Sequence, residues 1–221
     1  MLNLLYGYIE NSLPENELTT ASGLRMKADE NGRLLPFEGN TVVFLLDDSV
    51  KTQLSELQKE LYRAAGQMLS EPLNPDTFHM TLHDLANGVP GGRTREWIAQ
   101  TEPAARRVVE ELRKGGGAAI PMKATWTFNM VNTSIVLGLS PVDVDGEARL
   151  GRMYEALNTV VPLNYALMPH ITLAYFKPGS YSGTALEELR NALGPVELEV
   201  CLGPERLVLQ RFTDMNHYFT I

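Results

Sequence analysis

A five-residue motif with the same His, Thr and Leu occurs twice in the chain, and it constrains the fold more than any other feature. The first copy, Phe78–Leu82, reads FHMTL, and the second, Pro169–Leu173, reads PHITL. Both lie in stretches typical of β-strands, where successive side chains point to opposite faces. The His and Thr of each copy therefore share one face, and the apolar residues point into the fold. Each copy predicts an imidazole beside a hydroxyl, roughly 7 Å apart along the strand.

Two similar series of elements surround the two copies, whose histidines are 91 residues apart. The predicted strands are 41–46, 77–83, 121–130, 133–139, 169–176, 196–202, 206–211 and 218–221, and the predicted helices are 50–69, 94–114, 143–158 and 182–193. Pro103 is expected to kink or split the second helix. We therefore predict an α+β fold with two pseudo-symmetric lobes. Two antiparallel sheets would face a central groove, and the helices would lie outside.

The first 40 residues are mixed and polar, and they predict an N-terminal extension or flap. Residues 41–221 would then form a single bilobal domain. Asn31-Gly32, between Leu24–Ala28 and Arg33–Phe37, predicts a two-residue hairpin turn because both positions tolerate a positive φ. The beginning of the chain has no basic region followed by a long apolar run, so we expect no signal peptide.

Composition limits the kinds of partner. A net charge of −8 argues against broad binding to long nucleic acid, which favours basic surfaces, but is compatible with a small phosphorylated substrate at a local site. Cys201 is the single cysteine, which excludes an internal disulfide and fits a reducing compartment. No zinc-ligand spacing is present, and no stretch is long and apolar enough to span a membrane. We expect a cytoplasmic monomer without a metal or other cofactor.

The paired motifs suit acid–base chemistry if the two strands form opposing walls of one site. Free histidine has a pKa near 6.5, so one imidazole can be neutral while the other is charged. A neutral ring removes a proton from the attacking oxygen, a charged ring protonates the leaving oxygen, and each transfer contributes typically 10²–10⁴-fold. The threonine hydroxyls can bind the non-bridging oxygens of a phosphate. A 2′,3′-cyclic phosphate suits such a site because its ring is strained and water attacks it.

The two motifs, within His79–Leu82 and His170–Tyr175, resemble those of the 2H phosphoesterase superfamily, which contains RNA 2′-5′ ligase-like proteins and cyclic phosphodiesterases. The resemblance extends over roughly 37–221. Phe37–Val43 is similar to the entry strand of a longer bacterial and fungal branch of that superfamily. Leu207–Arg211, followed by Tyr218–Ile221, is similar to its closing hairpin.

This resemblance implies a bilobal fold with both motifs in a central groove. It implies that His79 and His170 are the general acid and base, in either order. It also implies that Thr81 and Thr172 hold the phosphate.

Further substrate-binding candidates are Tyr175, Trp126, His83 and Arg211. Strict alternation turns Tyr175 away from the site unless a twist or bulge intervenes. Trp126, with Phe128, either stacks on a base or belongs to the core. His83 either lines the groove, forms a metal site with His79, or is solvated at the end of its strand. The remaining candidates are Arg211, Lys123 and Lys177 as phosphate contacts, and His217, expected in a loop.

Three functions remain open from the sequence. The leading one is a metal-independent phosphodiesterase that hydrolyses nucleotide 2′,3′-cyclic phosphates or related small phosphodiesters. The second is cleavage of 2′-5′ or 3′-5′ oligoadenylates, or of cyclic oligonucleotide signals, at the same site. The third is a module that binds nucleotides without turning them over.

Overall fold

The computed structural model describes residues 13–221. The first residues, on which the prediction of a missing signal peptide depends, lie outside this range. The strands are β1 Glu17–Thr19, β2 Glu38–Leu45, β3 His79–Gly88, β4 Ile120–Met130, β5 Ser134–Pro141, β6 His170–Tyr175, β7 Ser180–Ser182, β8 Glu199–Leu202, β9 Leu207–Asp214 and β10 His217–Thr220. The helices are α1 Asp48–Ala65, α2 Gly92–Lys114, α3 Val144–Asn158 and α4 Thr184–Ala192.

Eight strands form one strongly curled antiparallel sheet in the order β10-β9-β2-β3-β6-β5-β4-β8. The two motif strands, β3 and β6, are its central neighbours, and a single residue pair, Met80 opposite Ile171, joins them. Four strands lie on each side of this seam. The predicted α+β fold with antiparallel strands in two lobes is therefore confirmed, and the two lobe sheets are continuous at the seam.

The apolar residues of the motifs anchor the seam in the core. Met80 and Ile171 are completely buried, as the alternation of the strands predicted. Helix α1 buries a face that includes Leu54, Leu61 and Ala65, which lie at the helical spacing seen in the sequence. Burying such side chains contributes about 1.5–3 kcal/mol each, so the motif strands are fixed from behind.

Helix α2 continues through Pro103, so the expectation that the proline splits this helix is wrong, while a kink there stays a prediction. Proline removes only one backbone donor, and the helix packs its buried side chains on both sides of that position, including Ile98, Ala105 and Val109. The packing of this face offsets the missing hydrogen bond.

The N-terminal segment is packed against the domain. Strand β1 pairs with β7, with Leu18 opposite Tyr181, and this two-stranded sheet was not predicted. Residues 22–26 form a 3₁₀ helix in the first arm of the predicted hairpin, and the hairpin pairing follows it, with Ala28 bridged antiparallel to Leu34. The turn is centred one residue before the predicted Asn31-Gly32 pair: the Gly32 N–H donates to the Asp29 carbonyl (2.9 Å), and Gly32 has a φ of 83°. The division of the chain at residue 40 stays a prediction.

The hairpin between β4 and β5 turns tightly at Val131 and Asn132, as predicted. Both residues have a positive φ, 44° and 56°. None of the helices within residues 13–221 has the length and apolar character needed to cross a bilayer.

Candidate active site

The two motifs open onto one cavity of about 650 Å³ at the seam between the lobes. His79 begins β3 and His170 begins β6, and both line the cavity together with Thr81 and Thr172. The structure therefore brings together all four residues that the repeated motif singled out. The wall around them is mostly apolar and aromatic.

The two histidines are held in the same way. The Nδ1 atom of His79 lies 2.7 Å from the carbonyl oxygen of Thr77, and that of His170 lies 2.6 Å from the carbonyl oxygen of Met168. A carbonyl only accepts, so Nδ1 carries the hydrogen in both rings. Nε2 of each neutral ring then presents a lone pair, and no hydrogen bond occupies it within residues 13–221.

Burial favours the neutral form of both rings. Burial lowers the pKa of His79 to about 4. The hydrogen bond to the Thr77 carbonyl and the charge of Asp84 act in the opposite direction and raise this pKa. The neighbouring His170 lowers the pKa of His79 further. Burial likewise lowers the pKa of His170, while the Met168 carbonyl and Asp84 act to raise it. Both imidazoles are therefore neutral near pH 7, ready to accept a proton.

Each motif strand contains a β-bulge at the leucine of the repeated motif. Between β5 and β6 the register shifts so that Leu173 is the extra residue, with Thr172 opposite Val136 and Ala174 opposite Ile135. Between β2 and β3 the shift makes Leu82 the extra residue in the same way. A bulge resets the alternation of side chains, so the residue three places after each threonine returns to the threonine's face.

This shared bulge decides the position of Tyr175. Strict alternation would turn its side chain away from the site, but the ring lines the cavity with His170 and Thr172. Asp84 is the corresponding residue after the first motif, and it too lines the cavity. Asp84 was not among the predicted site residues. Superposing the two copies of the motif, with the bulge in place, is the signal that would have found it.

Two polar side chains satisfy the backbone at the bulges. The Gln58 amide donates to the carbonyls of Leu173 (2.9 Å) and Leu73 (3.1 Å). The Thr41 hydroxyl donates to the carbonyl of His83 (3.1 Å). A bulge interrupts the strand ladder, so a side chain can replace the missing strand partner of the carbonyls of Leu173 and His83.

His83 contacts the cavity but is not solvated at a strand end, since only 1% of it is exposed. Its Nε2 lies 3.0 Å from Asn158 Oδ1, and its ring centroid is 5.1 Å from that of Tyr154. These contacts give it a packing role beside the site. Residues 13–221 contain no cluster of three or more His, Cys, Asp or Glu side chains arranged to hold a metal ion.

The other binding candidates lie outside the cavity. Arg211 is paired with Glu102, its Nε 2.6 Å from Oε2, and Trp126 is half-buried on β4, where its backbone bridges to Pro195. Neither side chain is among the residues that line the cavity. The same holds for the remaining three: Lys123, exposed on β4; Lys177, near Gly32; and His217, exposed at the start of β10 rather than in a loop.

An aromatic wall extends from His79, and sequence reasoning missed it. The Tyr218 ring lies 4.9 Å from the His79 ring and 5.2 Å from Phe212, which is 6.2 Å from Phe37. Burial raises the pKa of Tyr218 well above its usual value, so its hydroxyl stays protonated. Strands β9 and β10 and the residue before β2 supply this wall, so only the pairing of these strands shows that the residues meet.

The opposite rim comes from the segment between α3 and β6. Tyr165 lies there, and its hydroxyl donates to Asp84 Oδ2 at 3.3 Å. The rim thus contributes a second aromatic ring and fixes the carboxylate of Asp84.

Comparison with known proteins gives structural matches. No protein-family model and no curated protein matches the chain. A conserved protein of unknown function from Agrobacterium tumefaciens, ATU0111, is 14% identical with a TM-score of 0.64, and the match covers 100% of this chain and 97% of that one. TT0787 of Thermus thermophilus is 18% identical with a TM-score of 0.56, covering 82% and 94%. LigT of Escherichia coli, complexed with 3′-AMP, is 13% identical with a TM-score of 0.50, covering 84% and 95%.

The arrangement of the two motifs in this fold agrees with the sequence resemblance. Two lobes with the paired His-x-Thr strands at their seam form the architecture that the sequence resemblance implied. The chain has the 2H phosphoesterase fold.

Proposed function

We propose that the protein is a 2H-type phosphoesterase that hydrolyses nucleotide 2′,3′-cyclic phosphates by two-histidine general acid–base catalysis. One observation carries the proposal. His79 and His170 are held by the same kind of backbone hydrogen bond and present Nε2 to the same cavity, with Thr81 and Thr172 beside them. That is the set of groups that opening a cyclic phosphate requires.

The proposed step is an attack of water on the phosphorus. One neutral imidazole accepts a proton from the water at Nε2 while the new P–O bond forms. The bond from phosphorus to one ribose oxygen breaks, and the second ring, as imidazolium, donates its Nε2 proton to that oxygen. The product is a ribose hydroxyl beside a phosphate monoester, and the proton total of the two histidines is unchanged.

Binding of the substrate supplies the charge that the second ring needs. Burial favours the neutral form of both rings, but a phosphodiester anion between them favours the protonated form of a neighbouring imidazole. One ring thus takes up a proton as the substrate binds. The two threonine hydroxyls donate to the non-bridging oxygens and orient the phosphorus. Either ring can hold the extra proton, so the leaving oxygen decides which of the two acts as the acid.

Two further observations support a small nucleotide as the substrate. The cavity of about 650 Å³ lies within the range of roughly 300–1,000 Å³ typical of small-ligand sites. E. coli LigT, which shares the fold, has been crystallised with 3′-AMP.

The test is turnover of a substrate panel in EDTA with product analysis by chromatography. The panel contains the four nucleoside 2′,3′-cyclic phosphates, a 2′-5′ oligoadenylate and a cyclic oligoadenylate. We expect wild type to open the ring of at least one cyclic phosphate. His217→Asn, which changes an exposed histidine outside the cavity, should do so at a similar rate. Turnover only of the oligonucleotides, leaving cyclic ends, would replace this proposal with internal attack by a ribose hydroxyl. Binding without any product would indicate a nucleotide-binding module instead.

A further inference from the structure

The N-terminal segment brings a lysine to the proposed active site. Lys27 follows the 3₁₀ helix of residues 22–26, and its side chain lines the cavity. Within residues 13–221, it is the one Lys or Arg among the residues that line this cavity. The fixed positive charge in this proposed phosphate site is therefore that of Lys27, which the N-terminal segment supplies and not the two lobes.

The position of Lys27 is set by its backbone. Its N–H donates to the carbonyl of Leu24, and its carbonyl accepts from the N–H of Leu35, both at 2.8 Å. Leu24 is completely buried, so this part of the segment is anchored to the domain. The side chain is thus presented to the cavity from a fixed point.

Two aromatic rings hold the ammonium group. Lys27 Nζ lies 5.2 Å from the ring centroids of both Phe37 and Tyr175. Within the described part of the chain, no carboxylate forms an ion pair with it. Such contacts leave the hydrogen-bond donors of the ammonium group available to an anion.

The two ends of the groove carry side chains of different charge. The two motifs match in their His, Thr and bulged Leu, but differ at the next groove-facing residue. After the first motif this residue is Asp84, and after the second it is Tyr175, against which Lys27 packs. A substrate with phosphate at one end is therefore attracted toward Tyr175 and repelled from Asp84.

We propose that Lys27 binds a second phosphate of the substrate, next to the cyclic phosphate held by the histidines. This inference rests on the proposed function and narrows its substrate class. Thr172 and Tyr175 pair with Val136 and Ser134 of the facing strand, which are two positions apart, so the span between them is about 7 Å by strand rise. That is comparable with the span of one nucleotide between successive phosphates. The favoured substrate is a nucleotide 2′,3′-cyclic phosphate that also carries a phosphate on its 5′ oxygen.

The experiment compares three substrates: adenosine 2′,3′-cyclic phosphate, the same nucleotide with a 5′-phosphate, and a diadenylate ending in the cyclic phosphate. We expect wild type to prefer the 5′-phosphorylated nucleotide, mainly through a lower KM. Lys27→Met keeps the aliphatic stem and should reduce the preference in kcat/KM by roughly 10- to 100-fold, the range for a hydrogen bond to a charged group. Lys27→Arg should retain part of it. Lys123→Met removes an exposed lysine outside the cavity and should preserve the wild-type ratio.

The diadenylate distinguishes the two sources of the second phosphate. A Lys27-dependent preference shared by the diadenylate assigns the subsite to any adjacent phosphate, and a preference limited to the 5′-phosphate assigns it to a terminal monoester. An unchanged ratio in Lys27→Met would overturn the proposal.

Calorimetry separates this proposal from the catalytic one. Adenosine 3′,5′-bisphosphate should bind wild type more tightly than adenosine 3′-monophosphate, and Lys27→Met should abolish the difference. If this holds while no substrate turns over, the subsite stands and the catalytic proposal fails. If both ligands bind wild type equally, the subsite is refuted even when hydrolysis is observed.

Discussion

Replacing His79 with Asn should make the folded protein less sensitive to acid. Burial lowers the pKa of His79 to about 4 in the folded protein, against an ordinary value of 6.5. As the pH falls below 6.5, the unfolded chain binds the proton first, so the free energy of unfolding decreases. The loss is complete once the pH has passed the folded pKa near 4, and no stability is lost to this group well above 6.5.

The magnitude follows from the gap between the two pKa values, which corresponds to about 3 kcal/mol. The ring is only partly buried at the cavity wall, so water screens some of this effect and we expect about 2 kcal/mol. Asn is neutral at every pH and retains an N–H donor for the Thr77 carbonyl, so the variant should lose correspondingly less stability in acid.

Urea unfolding near pH 7.5 and near pH 4.5, followed by tryptophan fluorescence, measures the difference. The chain contains two tryptophans, and neither lines the cavity. Titration of all other groups is common to both proteins and cancels in the comparison. Lys123→Met, at an exposed position outside the cavity, should behave as wild type. If wild type and His79→Asn lose the same stability between these pH values, the lowered pKa of His79 in the folded protein is refuted.

Three further perturbations test the frame around the site. Gln58→Leu should leave the carbonyl of Leu173 without a partner and lower the free energy of unfolding by roughly 1–3 kcal/mol, measured by urea titration; wild-type stability would contradict the role of Gln58 at the bulge. Asp84→Asn removes a charge that raises the pKa of both motif histidines, so the acid limb of the kcat/KM profile should move to lower pH, and an unmoved limb would exclude this coupling. Thr81→Val and Thr172→Val keep the side-chain shape but remove the hydroxyl, and each should reduce kcat/KM at least about 5-fold, whereas unchanged kinetics would show that neither hydroxyl binds the phosphate.

The residues at the centre of the site were predictable because their spacing is local. The two-residue period of a strand places His79 with Thr81 and His170 with Thr172, and the buried residues between them follow from the same period. The occurrence of two copies indicated that the fold repeats a lobe. The structure confirms this, with the copies side by side at the seam.

The rest of the site depends on features that the sequence does not display. The bulges at Leu82 and Leu173 consist of one unpaired residue each, and they redirect Asp84 and Tyr175 without any compositional signal. Tyr218 reaches His79 because their strands curl around the same cavity. Such contacts are fixed by strand order.

Lys27 illustrates the same limit for the N-terminal segment. Its residues carry no periodic pattern, and the sequence predicted only an extension or flap there. Lys27 contacts Tyr175, and β1 of the same segment pairs with β7 after the second motif; both contacts join residues far apart in the chain.

The most direct test of the account is the rate of cyclic phosphate hydrolysis by His79→Asn, His170→Asn and the double variant. Two groups that transfer protons in one step act as a unit. Each single variant should therefore lose at least about 10²-fold in kcat, and the double variant should lose little more than the worse single variant. A single variant that retains the wild-type rate, with its fold intact, would contradict the two-histidine mechanism.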